Sequence, residues 1–159
     1  MSLPASVKRA CNFSLSVAGR LSWLPPLVVR LAVGVLFLRT GWAKLHHLDD
    51  ITEYFASLHI PSPHANAVLA GTTEFVAGIS LCVGLLTRLA ALPLIVTMGV
   101  AIVTAKWADV DSLNAFLGLE EFLLILLLGW LVIAGAGALS IDRLLARRWG
   151  LRGSPHAGS

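Results

Sequence analysis

Residues 23–45, WLPPLVVRLAVGVLFLRTGWAKL, form an apolar stretch that contains two arginines and ends in Lys-Leu. A helix needs about 20 apolar residues to cross the hydrocarbon core of a bilayer, and this stretch has that length. Pro25 and Pro26 lie at its start, where a helix tolerates proline best. The stretch therefore predicts a transmembrane helix.

Three further apolar runs follow, at residues 65–86, 89–105 and 122–139. Of the 159 residues, 57% are hydrophobic and 13% are charged, and the mean hydropathy is +0.81. Soluble domains contain about half apolar and a quarter charged residues, so a soluble interior of this size could not hold the surplus. We therefore predict an all-α fold, an integral membrane four-helix bundle with no role in nucleic-acid binding.

The uneven distribution of basic residues predicts the orientation. If the N-terminus is cytoplasmic, eight of the 12 Lys and Arg residues lie on that side, which basic residues favour. We expect a cytoplasmic segment 1–22, a membrane domain 23–142 and a basic cytoplasmic tail 143–159, in a multi-pass protein of the cell inner (plasma) membrane. Both termini are then cytoplasmic. The eight residues are Lys8, Arg9, Arg20, Arg88, Arg143, Arg147, Arg148 and Arg152.

The longest connection, residues 46–64, contains a candidate surface helix. Ile51, Tyr54, Phe55 and Leu58 would share one face of a helix over residues 51–58, although a plain loop is the alternative. The histidines of this connection match no known ligand spacing, so no metal site is predicted. These are His46, His47, His59 and His64.

Charged residues inside the predicted spans are the strongest candidates for function. A charge at the bilayer centre costs roughly 2.5–3.5 kcal/mol, so such residues turn toward the bundle interior or a polar cavity. Glu74 lies near the middle of the second span. Arg30 and Arg39 lie within the first span, and Lys44 lies near its end. These four residues form the candidate intramembrane polar site.

Helical spacing assigns most of these charges to faces rich in small residues. Residues three or four apart share a face of a helix, which small side chains allow to pack closely against a neighbour. Arg39 lies half a turn from the face of Arg30 and is expected to point elsewhere. The first face holds Arg30, Gly34, Phe37, Gly41 and Lys44, and the second holds Ala67, Gly71, Glu74 and Gly78.

Two interpretations of Glu74 remain open at this point. It could be a proton-handling or ligand-binding carboxylate in a polar cavity. It could instead pair with Arg30 or Arg39 and fix how the helices pack. Arg39 is closer to it in predicted depth, whereas Arg30 has the better small-residue face, so the sequence does not choose between them.

Three segments resemble signatures of the DoxX family of small membrane proteins. RLAVGVLFLRTGWAKL (30–45) resembles the opening signature and TEFVAGISLCVGLLTRLAA (73–91) the second. GAGALSID (135–142) resembles the closing glycine-rich turn, with Ala136 where members often have proline. The motif positions are Arg30, Gly34, Phe37, Gly41, Lys44, Leu45, Glu74, Gly78, Gly84, Thr87, Arg88, Gly135, Gly137, Ser140 and Asp142.

The resemblance implies a four-helix membrane protein linked to a redox system. Relatives include a subunit of thiosulfate:quinone oxidoreductase and proteins implicated in thiol and oxidative-stress homeostasis. Cys11 and Cys82 form no CxxC pair, and no cofactor motif is present, so no catalytic residue is assigned. The first hypothesis is a subunit or accessory factor of a quinone- or thiol-linked system, with quinone as the cofactor and an oxidoreductase or a second copy as the partner.

Two other functions fit the same residues. Glu74 and the basic residues within the spans could serve a transporter or channel for protons or a small solute. The glycine-rich faces could equally belong to a structural membrane partner without a ligand of its own.

Overall fold

A computed structural model describes residues 15–16, 19–137 and 139–148, and these residues form helices and connections without a β-strand. The all-α prediction is therefore confirmed for this part of the chain. Most of the predicted N-terminal segment, including Cys11, and the tail after Arg148 lie outside the described residues. The helices are α1 (Leu24–His46), α2 (Leu48–Ser57), α3 (Pro63–Val83), α4 (Thr87–Ala101), α5 (Leu113–Leu117), α6 (Glu120–Ala134) and α7 (Ile141–Arg148).

Three helical stretches of the described chain are long and apolar enough to cross a membrane. They are Gly19–His46, Pro63–Val83 and Thr87–Lys106, the last of which extends α4 by one π-helical turn. The fourth predicted span is shorter, since α6 has 15 residues and is about 22 Å long at 1.5 Å per residue. It ends at Ala134 because Gly135 adopts a φ of +77°, which no right-handed helix continues.

The core of the bundle lies where α1 packs against α3 and α4 packs against α6. Each of these four helices contributes apolar side chains at helical spacing to one buried cluster, while its other apolar side chains face outward. Such outward apolar faces are the arrangement expected of helices surrounded by lipid rather than water. The cluster consists of Val33, Phe37, Ala77, Leu81, Ala91, Leu94, Met98, Leu124, Leu128 and Leu131.

Glycines bring α1 and α3 into backbone contact. A Cβ atom at Gly78 would lie 2.5 Å from the backbone nitrogen of Leu38, and one at Gly34 would lie 2.9 Å from Sγ of Cys82. Gly41 lies against the backbone of Phe75 in the same way. Small residues give membrane helices this close packing, which confirms the predicted faces of both helices.

The surface helix predicted in the first connection is present as α2, which packs against α3. Ile51, Phe55 and Leu58 are half-buried as expected. Tyr54 shares this face by helical spacing but is 49% exposed. Tyr54 therefore lies at the margin of the apolar face of α2.

We predict that Gly78→Ala destabilises the bundle by about 2 kcal/mol, because the added methyl group would overlap the backbone of α1. The measurement is the free energy of unfolding in a denaturing-detergent titration. The matched control is Gly99→Ala, since no atom lies within 4 Å of a Cβ at Gly99. Equal stability of the two variants would contradict the packing described for α1 and α3.

Candidate functional site

An ion pair joins α1 to α3 inside the bundle. Nζ of Lys44 donates a hydrogen bond of 2.5 Å to Oε1 of Glu74. The side chain of Glu74 is 1% exposed, whereas that of Lys44 is 26% exposed. Gly71 lies one turn before Glu74 on α3, and a Cβ there would lie 3.4 Å from Cβ of Lys44. The glycine therefore leaves room for the lysine to reach the carboxylate.

This pairing corrects the sequence-based alternatives, in which Arg30 or Arg39 was the partner of Glu74. Nη1 of Arg30 instead donates a hydrogen bond of 2.6 Å to the carbonyl oxygen of Ala136. Arg39 is exposed on the outside of α1, as its place on the helical wheel predicted. The backbone contact of Gly41 with Phe75 sets the two helices at a height where Lys44 reaches Glu74.

The pair retains hydrogen-bonding capacity. Oε2 of Glu74 is buried and has no hydrogen-bond partner among the described residues. The ammonium group of Lys44 carries three N–H donors, of which one is directed to Glu74. Since the Lys44 side chain is partly exposed, the site offers both a donor and an acceptor to a polar group that reaches it.

A second polar cluster lies at the end of the bundle where α1 begins, here called the Arg30 end. Asp142, at the start of α7, accepts backbone hydrogen bonds at both carboxylate oxygens: 2.6 Å from the N–H of Leu86 and 3.2 Å from that of Thr87. Its own N–H donates to the carbonyl oxygen of Gly84 at 3.0 Å. Asp142 therefore holds the turn between α3 and α4, in which Leu86 has a φ of +49°.

The remaining motif residues of the Arg30 end lie at this turn and at the connection between α6 and α7. Gly84 has a φ of +70° and lies against the guanidinium of Arg30, so no larger residue fits. Gly137, with a φ of +77°, lies against Pro26 in the same way. Ser140 Oγ donates to the carbonyl oxygen of Gly137 at 3.0 Å and accepts from the N–H of Arg143 at 3.2 Å.

Apart from Arg39, which is exposed on the outside of α1, the predicted site residues lie in two places. One group lies along the contact of α1 with α3, around the ion pair, and the other group builds the Arg30 end. Sequence reasoning missed the backbone groups that complete the second place, because the carbonyl of Ala136 and the N–H of Leu86 carry no sequence signal. The first group is Gly34, Phe37, Gly41, Lys44, Glu74 and Gly78, and the second is Arg30, Gly84, Arg88, Gly135, Gly137, Ser140 and Asp142.

Comparisons with known proteins identify related membrane proteins. The family model for DoxX matches residues 26–107. An uncharacterised membrane protein of Mycobacterium tuberculosis is 38% identical over 138 residues, which cover 78% of this chain and 84% of the relative. Inner membrane protein YphA of Escherichia coli is 32% identical over 128 residues, covering 74% and 87%. CatD of Bacillus subtilis, whose name proposes an oxidoreductase, is 30% identical over 119 residues, covering 73% and 83%.

No solved structure shows a significant match to the chain. Its apolar helices, with an ion pair buried between two of them, define a helical membrane protein. The chain belongs to the DoxX family, since the family model matches about half of it and relatives match most of it. The resemblance to the family is confirmed, and the first two signatures (30–45 and 73–91) lie within the matched residues.

We predict that Lys44→Met destabilises the protein more than Glu74→Gln does. The first change leaves a buried carboxylate without its cation, which costs about 3 kcal/mol or more. The second leaves a lysine that can extend its ammonium group toward polar surroundings, so the cost is about 1 kcal/mol. The measurement is the free energy of unfolding of each variant in a denaturing-detergent titration.

Arg39→Gln is the control for this comparison, because Arg39 is exposed on the same helix. Its effect should stay within about 0.5 kcal/mol. A larger loss for Glu74→Gln than for Lys44→Met would contradict the unequal burial of the two partners.

Proposed function

We propose that this protein is a small inner-membrane subunit or accessory factor of a redox system that uses a membrane quinone or a thiol-linked oxidoreductase. The observation that carries the proposal is the Lys44–Glu74 pair, which places a partly exposed cation beside a buried carboxylate inside the bundle. Membrane-embedded charges of this kind mark ligand or proton pathways. The name of the Escherichia coli relative, an inner membrane protein, supports the membrane location. The name of the Bacillus subtilis relative, which proposes an oxidoreductase, supports the redox role.

The hydrogen-bond donors of Lys44 and the acceptor oxygen of Glu74 match the polar groups of a quinone. A quinone carbonyl accepts hydrogen bonds, and the remaining N–H groups of Lys44 donate them. A quinol hydroxyl donates a hydrogen bond, and Oε2 of Glu74 has an acceptor position that no described residue uses. When bound, a quinone would supply the electron-carrying chemistry, while Lys44 orients its carbonyl and Glu74 holds or releases a proton at Oε2.

In this proposal the electrons come from a partner protein, so the role of this chain is an accessory one. Cys82 is the free cysteine of the described residues, and its partly buried side chain lies beside Gly34 rather than near a second thiol. Within the described residues one thiol does not form the dithiol pair of a disulfide oxidoreductase, and the sequence contains no CxxC pair. We therefore assign binding and proton handling to this chain and electron transfer to an oxidoreductase that docks on it.

The proposal includes a four-span topology with both termini in the cytoplasm. The support for it is that α6 is wholly apolar after Glu120 and Glu121 and packs against α4. Exposed basic residues lie toward the Arg30 end and support a cytoplasmic location for it. They are Arg20, Arg88, Arg143 and Arg148. A helix about 22 Å long crosses the membrane where the bilayer thins locally or flanking residues reach the interface.

The topology is tested with two reporter fusions, a green fluorescent protein that folds in the cytoplasm and an alkaline phosphatase that is active outside it. With four spans and a cytoplasmic N-terminus, fusions after Ser159 fluoresce, and phosphatase fused after Asp111 is active. With three spans the C-terminus lies outside, and phosphatase is active after Ser159. That outcome would overturn the four-span topology.

A second candidate function is a transporter for protons or a small solute, which the unpartnered Oε2 of Glu74 favours. In this case the carboxylate would take up and release protons without any redox partner. The redox role predicts bound quinone in the purified protein, which Glu74→Gln lowers. The transporter predicts proton or solute flux, which Glu74→Gln abolishes.

The redox role is tested by purifying the protein in mild detergent and measuring extracted quinone per protein, together with any oxidoreductase that co-purifies. We expect Glu74→Gln and Lys44→Met to lower bound quinone about tenfold, which corresponds to one lost polar contact of about 1.4 kcal/mol. Arg39→Gln is the matched control and should retain the wild-type amount.

Three results would contradict the redox role. One is equal quinone content in all variants. Another is proton or solute flux in liposomes that Glu74→Gln abolishes while no redox partner is found, which supports the transporter. The third is that Glu74→Gln lowers the free energy of unfolding but changes neither quinone content nor flux, which supports a structural partner.

A further inference from the structure

A groove of about 480 Å³ lies at the Arg30 end, between the start of α4, the end of α6 and the start of α7. One part of its wall is apolar and includes Leu86 and Leu89. Another part is basic and includes Arg88 and Arg143. The groove therefore combines two chemistries that few soluble ligands match together.

The apolar wall continues onto the outer surface of the bundle. Leu86 is 57% exposed and Leu89 is 61% exposed. Leu89 belongs to the candidate span Thr87–Lys106, whereas Leu86 lies just before it. The groove thus lies at one end of this candidate span, the level at which headgroups would meet acyl chains if the helix crosses a bilayer.

The two arginines of the groove have unused hydrogen-bonding capacity. Nη2 of Arg88 donates one bond of 3.1 Å to the carbonyl oxygen of Ile133, and a guanidinium has five N–H donors in all. Neither Arg88 nor Arg143 forms a salt bridge within the described part of the chain. Asp142 also lines the groove, but both of its oxygens accept backbone N–H groups.

We propose that this groove binds one anionic phospholipid, with its phosphate between Arg88 and Arg143 and its acyl chains along Leu86 and Leu89. Guanidinium groups bind phosphate oxygens with paired, charge-assisted hydrogen bonds. Basic pockets between membrane helices bind anionic headgroups for this reason. The site is separate from the Lys44–Glu74 pair and does not depend on the redox role.

The apolar wall selects a lipid over a soluble phosphate. A free phosphate ion would occupy the arginines and leave Leu86 and Leu89 without a partner. Acyl chains cover them, and each buried methylene contributes favourably. A zwitterionic lipid carries an ammonium group that opposes the arginines, so an anionic lipid binds more tightly.

The experiment titrates the full-length protein, in neutral detergent, with phosphatidylglycerol and counts bound lipid by native mass spectrometry. One phosphatidylglycerol should bind per chain, in preference to phosphatidylcholine of the same acyl chains. We expect Arg143→Gln to weaken binding about fivefold and Arg88→Gln with Arg143→Gln about thirtyfold. Arg143→Gln keeps the backbone bond from residue 143 to Ser140, so this variant should retain the fold.

The matched control is the double change Arg20→Gln with Arg148→Gln, which removes the same charge from exposed residues that do not line the groove. The affinity of this double variant for phosphatidylglycerol should stay within about twofold of that of the wild type. Inorganic phosphate at millimolar concentration should not displace the lipid.

Three outcomes would overturn the proposal. The first is equal binding of the two lipids. The second is an equal loss in the control, which indicates a diffuse surface charge rather than a groove. The third is displacement by inorganic phosphate, which indicates a site for a soluble anion.

Discussion

Gly41 and Gly78 allow α1 and α3 to approach until backbone contacts backbone, and the rest of the bundle depends on this contact. The contact fixes the height of one helix against the other, and Lys44 consequently reaches Glu74. In lipid no hydrophobic force draws the two helices together, so close packing and the polar pair must hold them. The glycines and the ion pair are therefore parts of one arrangement rather than separate features.

Helical periodicity allowed the faces of the first two spans to be predicted, because spacing alone determines which residues share a side. Gly34, Phe37 and Gly78 were assigned in this way, and all are buried. The partner of Glu74 could not be predicted, because it depends on the height of α1 relative to α3. That height is set by contacts such as Gly41 with Phe75, which a single sequence does not reveal.

The two polar places of the bundle differ in what their charges contact. Glu74 meets a side chain, and one of its oxygens has no partner among the described residues, so the pair retains capacity for a ligand. Asp142 meets backbone N–H groups at both oxygens and stabilises a turn. The motif positions of this chain therefore differ in their surroundings: Oε2 of Glu74 has no described partner, whereas Gly84, Ser140 and Asp142 hold the connections at the Arg30 end.

The hydrogen bond from Arg30 to Ala136 joins residues 106 positions apart. Translation adds Ala136 long after it has completed α1, so the carbonyl that accepts this hydrogen bond does not yet exist when α1 is made. Until then Arg30 must keep water or headgroups around it, because an unpaired charge is costly in hydrocarbon. The order of synthesis therefore delays this contact until the segment that contains Ala136 has been added.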